Sequence, residues 1–125
     1  MLDHISIGVL DIEKARRFYD AALKPLGHTC LSLDEGSLGY GTDRVEFWIS
    51  RVESPVPANP KSGLHFCFAA PSRKAVDAFH NAALGKGGAN NGNPGLRPDY
   101  GQDYYAAFIL DPDGYRLEAY CSSKE

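Results

Sequence analysis

The sequence predicts an α+β domain of two tandem βαβββ modules that form a curved mixed sheet in the shape of a cup. One observation is an internal repeat: at an offset of 61, HISIGVLDIEKARRFYDAALKPLG aligns without a gap on HFCFAAPSRKAVDAFHNAALGKGG. The other is that each copy starts with an alternating strand, continues as an amphipathic helix and ends in turn-rich strands. We divide this single domain, residues 1–125, into module one (about 1–53), a proline-containing linker (about 54–62) and module two (about 63–125).

The elements of module one follow from local patterns. Residues 4–9 alternate, with Ile5, Ile7 and Val9 on one face, which predicts a strand. Asp11 is expected to cap a helix, because apolar residues recur behind it at helical spacing, and Gly27 is expected to end that helix. Three strands separated by turn residues should follow, at Thr29–Leu33, Ser37–Gly41 and Arg44–Ser50.

Module two repeats the order with one longer connection. Leu64, Phe66 and Phe68 alternate, Ser72 is the expected helix cap and Gly85 a stop signal. The segment 85–103 is rich in Gly, Asn and Pro, so no regular structure is predicted there. The turn sequence DPDG predicts a hairpin of Tyr104–Leu110 and Tyr115–Cys121.

The amino-acid composition argues against several classes of binding partner. With 43% hydrophobic and 23% charged residues the chain is expected to be a soluble domain with one core. The net charge of −3, with Lys and Arg scattered, argues against a nucleic-acid partner. No apolar run approaches the roughly 20 residues that span a bilayer, and the N-terminus lacks a signal-peptide pattern, so we expect no membrane partner and a cytoplasmic location. Three widely spaced cysteines are expected to be reduced thiols.

Four ionisable residues recur at matching places of the repeat. His4 and His65 lie in the first strand of each module, and Glu46 and Glu118 lie in the last, where RVE matches RLE at an offset of 72. Alternation places both carboxylates on the face of their strand opposite the apolar residues. In the strand of Glu46, Val45 and Phe47 are expected on the apolar face. Alone, such a histidine or glutamate is usually structural. Together they predict a site for a divalent metal, with Zn, Ni, Mn or Fe(II) as candidates, or an acid/base site.

The sequence resembles the vicinal oxygen chelate superfamily, which includes glyoxalase I, fosfomycin-resistance thiol transferases, extradiol dioxygenases and bleomycin-resistance proteins. The resemblance rests on DHISIGVLDIEKARRFYDAALKPLG, GLHFCFAAP and FILDPDGYRLEAY and covers essentially the whole chain. It implies a glyoxalase-like fold whose cup holds one metal. By resemblance the metal ligands are His4, Glu46, His65 and Glu118, and the subset without Glu46 matches the thiol transferases and dioxygenases.

The resemblance also implies a metal-dependent lyase or isomerase that acts on a small oxygenated substrate, with Glu118 or Glu46 as the proton-shuttling base. Two glutathione contacts of glyoxalase I, a basic residue and an asparagine, are replaced here by Gly8 and Ser50. This argues against lactoylglutathione as the substrate. The alternatives are a non-catalytic protein that binds a small molecule, as bleomycin-resistance proteins do, or a dioxygenase or thiol transferase of the same superfamily.

Other side chains are expected around a small-molecule pocket, with ordinary packing as the competing interpretation. Cys67 is expected to pack as a small apolar side chain without a function of its own. His28 and His80 are expected at the surface. Relatives of this length imply a homodimer, whose metal site lies within one chain or is shared by two. The candidate substrate-binding residues are Trp48, Arg97, Tyr100, Tyr105 and Tyr120, with Tyr40 as a further aromatic.

Overall fold

A computed structural model describes residues 1–57 and 59–124, and its elements confirm the predicted α+β class with two βαβββ modules. Module one consists of β1 (Ile5–Val9), α1 (Ile12–Leu23) followed by a 3₁₀ turn (Lys24–Leu26), β2 (Thr29–Leu33), β3 (Ser37–Gly41) and β4 (Val45–Arg51). Module two consists of β5 (Phe66–Ala69), α2 (Arg73–Gly85), β6 (Ala89–Leu96), β7 (Tyr105–Leu110) and β8 (Arg116–Cys121).

Both helices begin at the predicted caps. The Asp11 carboxylate accepts the backbone N–H of Lys14 at 3.0 Å, and the Ser72 hydroxyl accepts that of Ala75 at 3.0 Å. Gly27 ends the 3₁₀ turn with φ at 93°, a left-handed conformation that favours glycine. Across the described ranges 1–57 and 59–124, no helix is long and apolar enough to cross a bilayer.

Each module forms its own four-stranded mixed sheet. The strand orders are β1-β4-β3-β2 and β5-β8-β7-β6. The first strand of each module runs parallel to the last, and the remaining pairs are antiparallel. Because β1 and β5 stand at the ends of their sheets, each has a neighbour on one side alone in the described part of the chain.

The prediction of irregular structure for the whole segment 85–103 is wrong, because β6 lies inside it. β6 pairs with β7, with register shifts between Asn90 and Gly92 and again between Gly92 and Gly95. The low strand propensity of Gly, Asn and Pro suggested a loop. The backbone edge of β7 supplies hydrogen-bond partners nonetheless, and the bulges absorb the residues that do not fit the ladder.

Strand β4 also carries a bulge, at one of the predicted site residues. The β3–β4 register passes from the pair Tyr40–Phe47 to the pair Gly41–Val45, so Glu46 is an extra residue on β4. Gly41 lies so close to the chain here that a Cβ would come within 1.9 Å of a backbone carbonyl oxygen, that of Arg44. The tight approach explains why this strand end requires a glycine.

The bulge changes which face one residue occupies. A Cβ on Gly39 would lie 2.8 Å from the Val45 side chain and 2.9 Å from Trp48, so these two side chains share a face. The expectation that Val45 lies on the apolar face with Phe47 is therefore wrong. The extra residue reverses the alternation at that point of the strand.

The apolar faces of the two sheets point towards each other. The Phe47 ring of module one lies with its centroid 6.1 Å from that of Phe66 and 5.5 Å from that of Phe68 in module two. Helices α1 and α2 pack against each other. The opposite faces of the two sheets, which carry Trp48 and Glu118, consequently point away from this shared core.

Hydrogen bonds join the modules through the DPDG turn. The buried Tyr19 hydroxyl of α1 donates to Asp111, which also accepts the N–H groups of Asp113 and Tyr115 at 2.9 Å. The Tyr115 hydroxyl donates to the carbonyl of Gly8 at 2.7 Å. Burial raises the pKa of Asp111, while these bonds oppose the rise; burial and the Asp111 charge raise the pKa of Tyr19 well above its usual value.

Candidate functional site

Glu118 is the centre of the polar cluster on the outer face of module two. Its side chain is only 3% exposed and has three polar neighbours, namely His65, Tyr104 and the thiol of Cys67. His65 Nε2 lies 3.1 Å from Oε1, and the Tyr104 hydroxyl donates to Oε2 at 2.5 Å. Glu118 pairs with Cys67, which follows His65 by two positions and therefore lies on the same face. The structure thus brings together two of the four predicted ligands and adds Tyr104, which the sequence did not single out.

The distance between His65 and Glu118 fits a shared cation. Two ligand atoms about 2.1 Å from one ion, at angles of roughly 90–109°, stand about 3.0–3.4 Å apart. The observed 3.1 Å between Nε2 and Oε1 falls in that interval. Within residues 1–57 and 59–124 there is no group of three or more His, Cys, Asp or Glu side chains that could hold an ion. The same 3.1 Å is also an ordinary hydrogen-bond distance between an imidazole and a carboxylate.

The other two predicted ligands lie in module one. His4 and Glu46 each precede a residue of the parallel pair Ile5–Phe47, so their backbones are neighbours at the start of β1 and β4. Both residues are exposed. The structure does not bring this pair together with both His65 and Glu118 within one chain.

His4 has the orientation partner that a metal-binding histidine usually needs. Its Nδ1 lies 2.8 Å from Oδ1 of Asp3, and Arg44 lies 3.1 Å from Oδ2 of the same carboxylate. The hydrogen bond with His4, followed by the Arg44 charge, lowers the pKa of Asp3. A carboxylate on one ring nitrogen leaves the other nitrogen, Nε2, directed elsewhere, as in carboxylate–histidine–metal arrangements.

The strand ladders correct the match between the two glutamates. In module two Cys67 pairs with Glu118, and in module one the equivalent Ser6 pairs with Trp48. Glu46 lies two residues earlier, at the bulge. The sequence offset of 72 therefore does not describe the spatial equivalence, because the ladder places Trp48, and not Glu46, at the position that corresponds to Glu118.

Aromatic side chains surround Glu118. Tyr120 stacks on Tyr104, with ring centroids 4.0 Å apart and planes inclined by 27°. The exposed Tyr100 meets the Tyr104 ring edge-on at 5.3 Å. Two predicted pocket residues, Tyr100 and Tyr120, are thus next to the cluster.

Arg97 lies further across the same face. Its guanidinium is 5.3 Å from the ring centroid of Phe108, the residue that pairs with Glu118 on β7. It also donates to the carbonyl of Asn93 at 2.7 Å. Trp48 occupies the corresponding outer face of module one, over Gly39.

Tyr105 does not line this face. Its hydroxyl donates to Asp77 of α2 at 2.6 Å, and Arg73 lies 5.2 Å from its ring centroid. Adjacent residues of a strand point to opposite faces. The prediction of Tyr105 as a pocket residue therefore selected the wrong member of the pair Tyr104–Tyr105. Ala107 and Ile109 are buried on the Tyr105 side of β7, but Ala106 on the Tyr104 side is buried as well, so the sequence pattern alone favoured neither tyrosine.

A groove of about 370 Å³ lies between the modules. Glu46 and His65 both line it, as do Phe47 from β4 and the whole of β5. Glu118 does not belong to its lining, but His65 and Cys67 do, so the groove adjoins the cluster around Tyr104. It follows the open edge of β5.

Three further side chains are placed by the fold. His80 is 6% exposed and lies 2.9 Å from the Asn90 side chain, so the expected surface position is wrong: α2 packs against β6 at this point. His28 is half-buried, 3.1 Å from Thr42. Partial burial and the charge of Glu118 raise the pKa of Cys67 to about 12, so this thiol stays protonated at neutral pH.

Residues 1–119 match the model of the Glyoxalase/Bleomycin resistance protein/Dioxygenase superfamily. The chain belongs to this superfamily. A glyoxalase/bleomycin resistance protein from Albidiferax ferrireducens T118 is similar in structure with a TM-score of 0.83 and 31% identity, over 96% of this chain and 97% of that one.

Two more distant structures share the superfamily fold. A glyoxalase-related enzyme from Fulvimarina pelagi has a TM-score of 0.74 and 18% identity, over 96% of this chain and 86% of that one. A V278E mutant of glyoxalase I from Zea mays has a TM-score of 0.72 and 19% identity, over 97% of this chain and 46% of that one. Among curated proteins there is no significant match.

Proposed function

We propose that this superfamily member is a metal-dependent lyase or isomerase that acts on a small oxygenated substrate. The observation that supports it most is the buried Glu118, whose Oε1 lies 3.1 Å from His65 Nε2. A carboxylate this buried requires compensation by hydrogen bonds or a cation. Histidine nitrogen and carboxylate oxygen together suit Zn, Ni, Mn or Fe(II).

We further propose that a second copy of the chain completes the site. His65 and Glu118 lie on an outward face, and His4 and Glu46 lie at the start of β1 and β4 in the other module. Within the described residues, β1 and β5 are the end strands of their sheets, so their outer edges are available for pairing between chains. A twofold homodimer would contain two identical sites, each with one residue pair from either copy.

Each of the site residues would have its own role in the reaction. A bound divalent ion would act as a Lewis acid on a substrate oxygen. Glu118 or Glu46 would accept and return a proton, and Asp3 would hold His4 in one orientation. Gly8 and Ser50 are direct neighbours across β1 and β4, so no charged side chain stands there to bind a glutathione carboxylate. The substrate is accordingly one other than lactoylglutathione.

Metal content tests the first proposal. We expect protein purified without a histidine tag to bind one Zn, Ni, Mn or Fe(II) ion per chain, and His65→Ala to lose it. Absence of metal after each ion has been supplied, with small-molecule binding unchanged in His65→Ala, would contradict the enzyme. That result would support the second candidate, a non-catalytic protein that binds a small molecule.

Mixed dimers test the shared site. Neither His4→Ala nor His65→Ala should bind metal alone, but a heterodimer of the two contains one intact site. Random pairing after co-expression should therefore restore about a quarter of the wild-type metal content. Co-expression of His4→Ala with Glu46→Gln is the matched control, because every site then lacks a ligand. No restoration in the first mixture, although the protein is dimeric in sedimentation, would place the site within one chain.

The proposed location is the cytoplasm. Cys30, Cys67 and Cys121 are all free thiols. Reduced cysteines are typical of proteins that stay in a reducing compartment.

A further inference from the structure

Glu118 has a second partner whose position is set independently of any cation. The Tyr104 hydroxyl donates to Oε2 at 2.5 Å, on the side of the carboxylate away from the His65 contact with Oε1. The two carboxylate oxygens are thus assigned to different neighbours. Oε2 is occupied by a hydroxyl, and Oε1 faces the imidazole.

Packing fixes the ring that carries this hydroxyl. Tyr120 stacks on one side of Tyr104 with centroids 4.0 Å apart, and Tyr100 contacts it edge-on at 5.3 Å. The Tyr104 carbonyl accepts the N–H of Arg97 at 2.8 Å, and its own N–H donates to Gly101 at 3.3 Å. Because ring and backbone are both held, the hydroxyl can orient the carboxylate rather than follow it.

We infer that Tyr104 is a positioning residue for Glu118, which holds Oε2 so that Oε1 alone is presented beside His65 Nε2. The inference rests on the proposed function, since it concerns how Glu118 meets a cation. Its consequence is a monodentate carboxylate. Without the hydroxyl, the carboxylate can rotate and offer both oxygens. Hydrogen bonds to metal ligands typically change metal affinity about 10- to 100-fold when removed.

Tyr104→Phe tests the inference, because it keeps the ring and removes the hydroxyl. Tyr120→Phe is the matched control, since it removes a hydroxyl from the stacking partner and leaves the Tyr104–Glu118 contact intact. In metal-free protein we expect Tyr104→Phe to shift the His65 ring nitrogen and Glu118 carboxyl signals in NMR spectra, and Tyr120→Phe to leave them unchanged. With Co²⁺ bound, Tyr104→Phe should alter the visible absorption spectrum and weaken Co²⁺ affinity about 10- to 100-fold.

Unchanged NMR signals in Tyr104→Phe would overturn the inference, as would a wild-type Co²⁺ spectrum and affinity in that variant. If wild-type protein binds no Co²⁺ while Tyr104→Phe still shifts the NMR signals, the positioning of Glu118 stands and the proposed metal enzyme fails. The two failures are therefore distinguishable.

Discussion

Replacing Tyr19 by phenylalanine tests the contact that holds the modules back to back. The variant keeps the buried ring and leaves Asp111, 4% exposed, without its side-chain donor. A hydrogen bond to a charged group contributes about 1.5–3 kcal/mol, and the partner left behind stays buried, so we expect a loss of about 2–3 kcal/mol in the free energy of unfolding. For a chain of this length that corresponds to a fall in melting temperature of about 8–11 °C.

Tyr40→Phe is the control, because its ring is equally buried but its hydroxyl donates at 2.8 Å to Asp20, whose side chain is 45% exposed. Water can replace that donor, so the expected loss is below about 1 kcal/mol. Urea unfolding at one fixed protein concentration measures both, with unchanged slopes as the check on comparable transitions. Equal losses in Tyr19→Phe and Tyr40→Phe would refute the importance of the buried Asp111.

The same carboxylate predicts a pH dependence of that loss. The Tyr19 hydroxyl opposes the rise in the Asp111 pKa that burial causes, so its removal raises this pKa further. A carboxyl group whose pKa is higher in the folded state stabilises the fold in acid, and this stabilisation is lost as the pH rises through the folded-state pKa. The deficit of Tyr19→Phe should therefore be larger near about pH 7 than near about pH 4, and a deficit independent of pH would contradict an ionised Asp111.

Two further predictions concern the bulge and alkaline stability. Gly41→Ala would bring a Cβ within 1.9 Å of the Arg44 carbonyl oxygen and should lower the free energy of unfolding in urea by roughly 1–3 kcal/mol. Gly36→Ala is the control: no atom lies within 4 Å of the added Cβ, so the free energy of unfolding should change by less than about 0.5 kcal/mol. Similar values for both variants would disprove the backbone clash. Since the pKa of Tyr19 is raised by burial and then by the Asp111 charge, stability is complete below about pH 10 and falls as pH rises further. Above that pH, the free energy of unfolding of the wild type should fall by up to about 1.4 kcal/mol per pH unit more than that of Tyr19→Phe. Parallel curves of stability against pH for the two proteins would contradict this role of Tyr19.

Much of the candidate site was predictable because the chain repeats itself. The match of His4 with His65 and the RVE and RLE motifs identified the strands that carry polar residues on the outer faces. Tyr104 was missed because a pair of adjacent tyrosines leaves the choice of face open until the ladder of β7 fixes it. The bulge at Glu46 was equally hidden, because it depends on how β3 and β4 align and not on the residues of β4 alone.

The sequence by itself determined the βαβββ order, both helix caps and the DPDG turn, because these depend on local periodicity, capping and turn chemistry. Superfamily membership rests instead on the resemblance of its motifs and on the family-model match over residues 1–119. Tertiary structure alone decided that the two sheets place their apolar faces together and their polar faces outward. It also decided that Glu118 is joined with His65 and Tyr104, and that β6 exists despite its composition. These features arise from pairing between residues far apart in the chain, where the register of strands and the packing of the core override local preference.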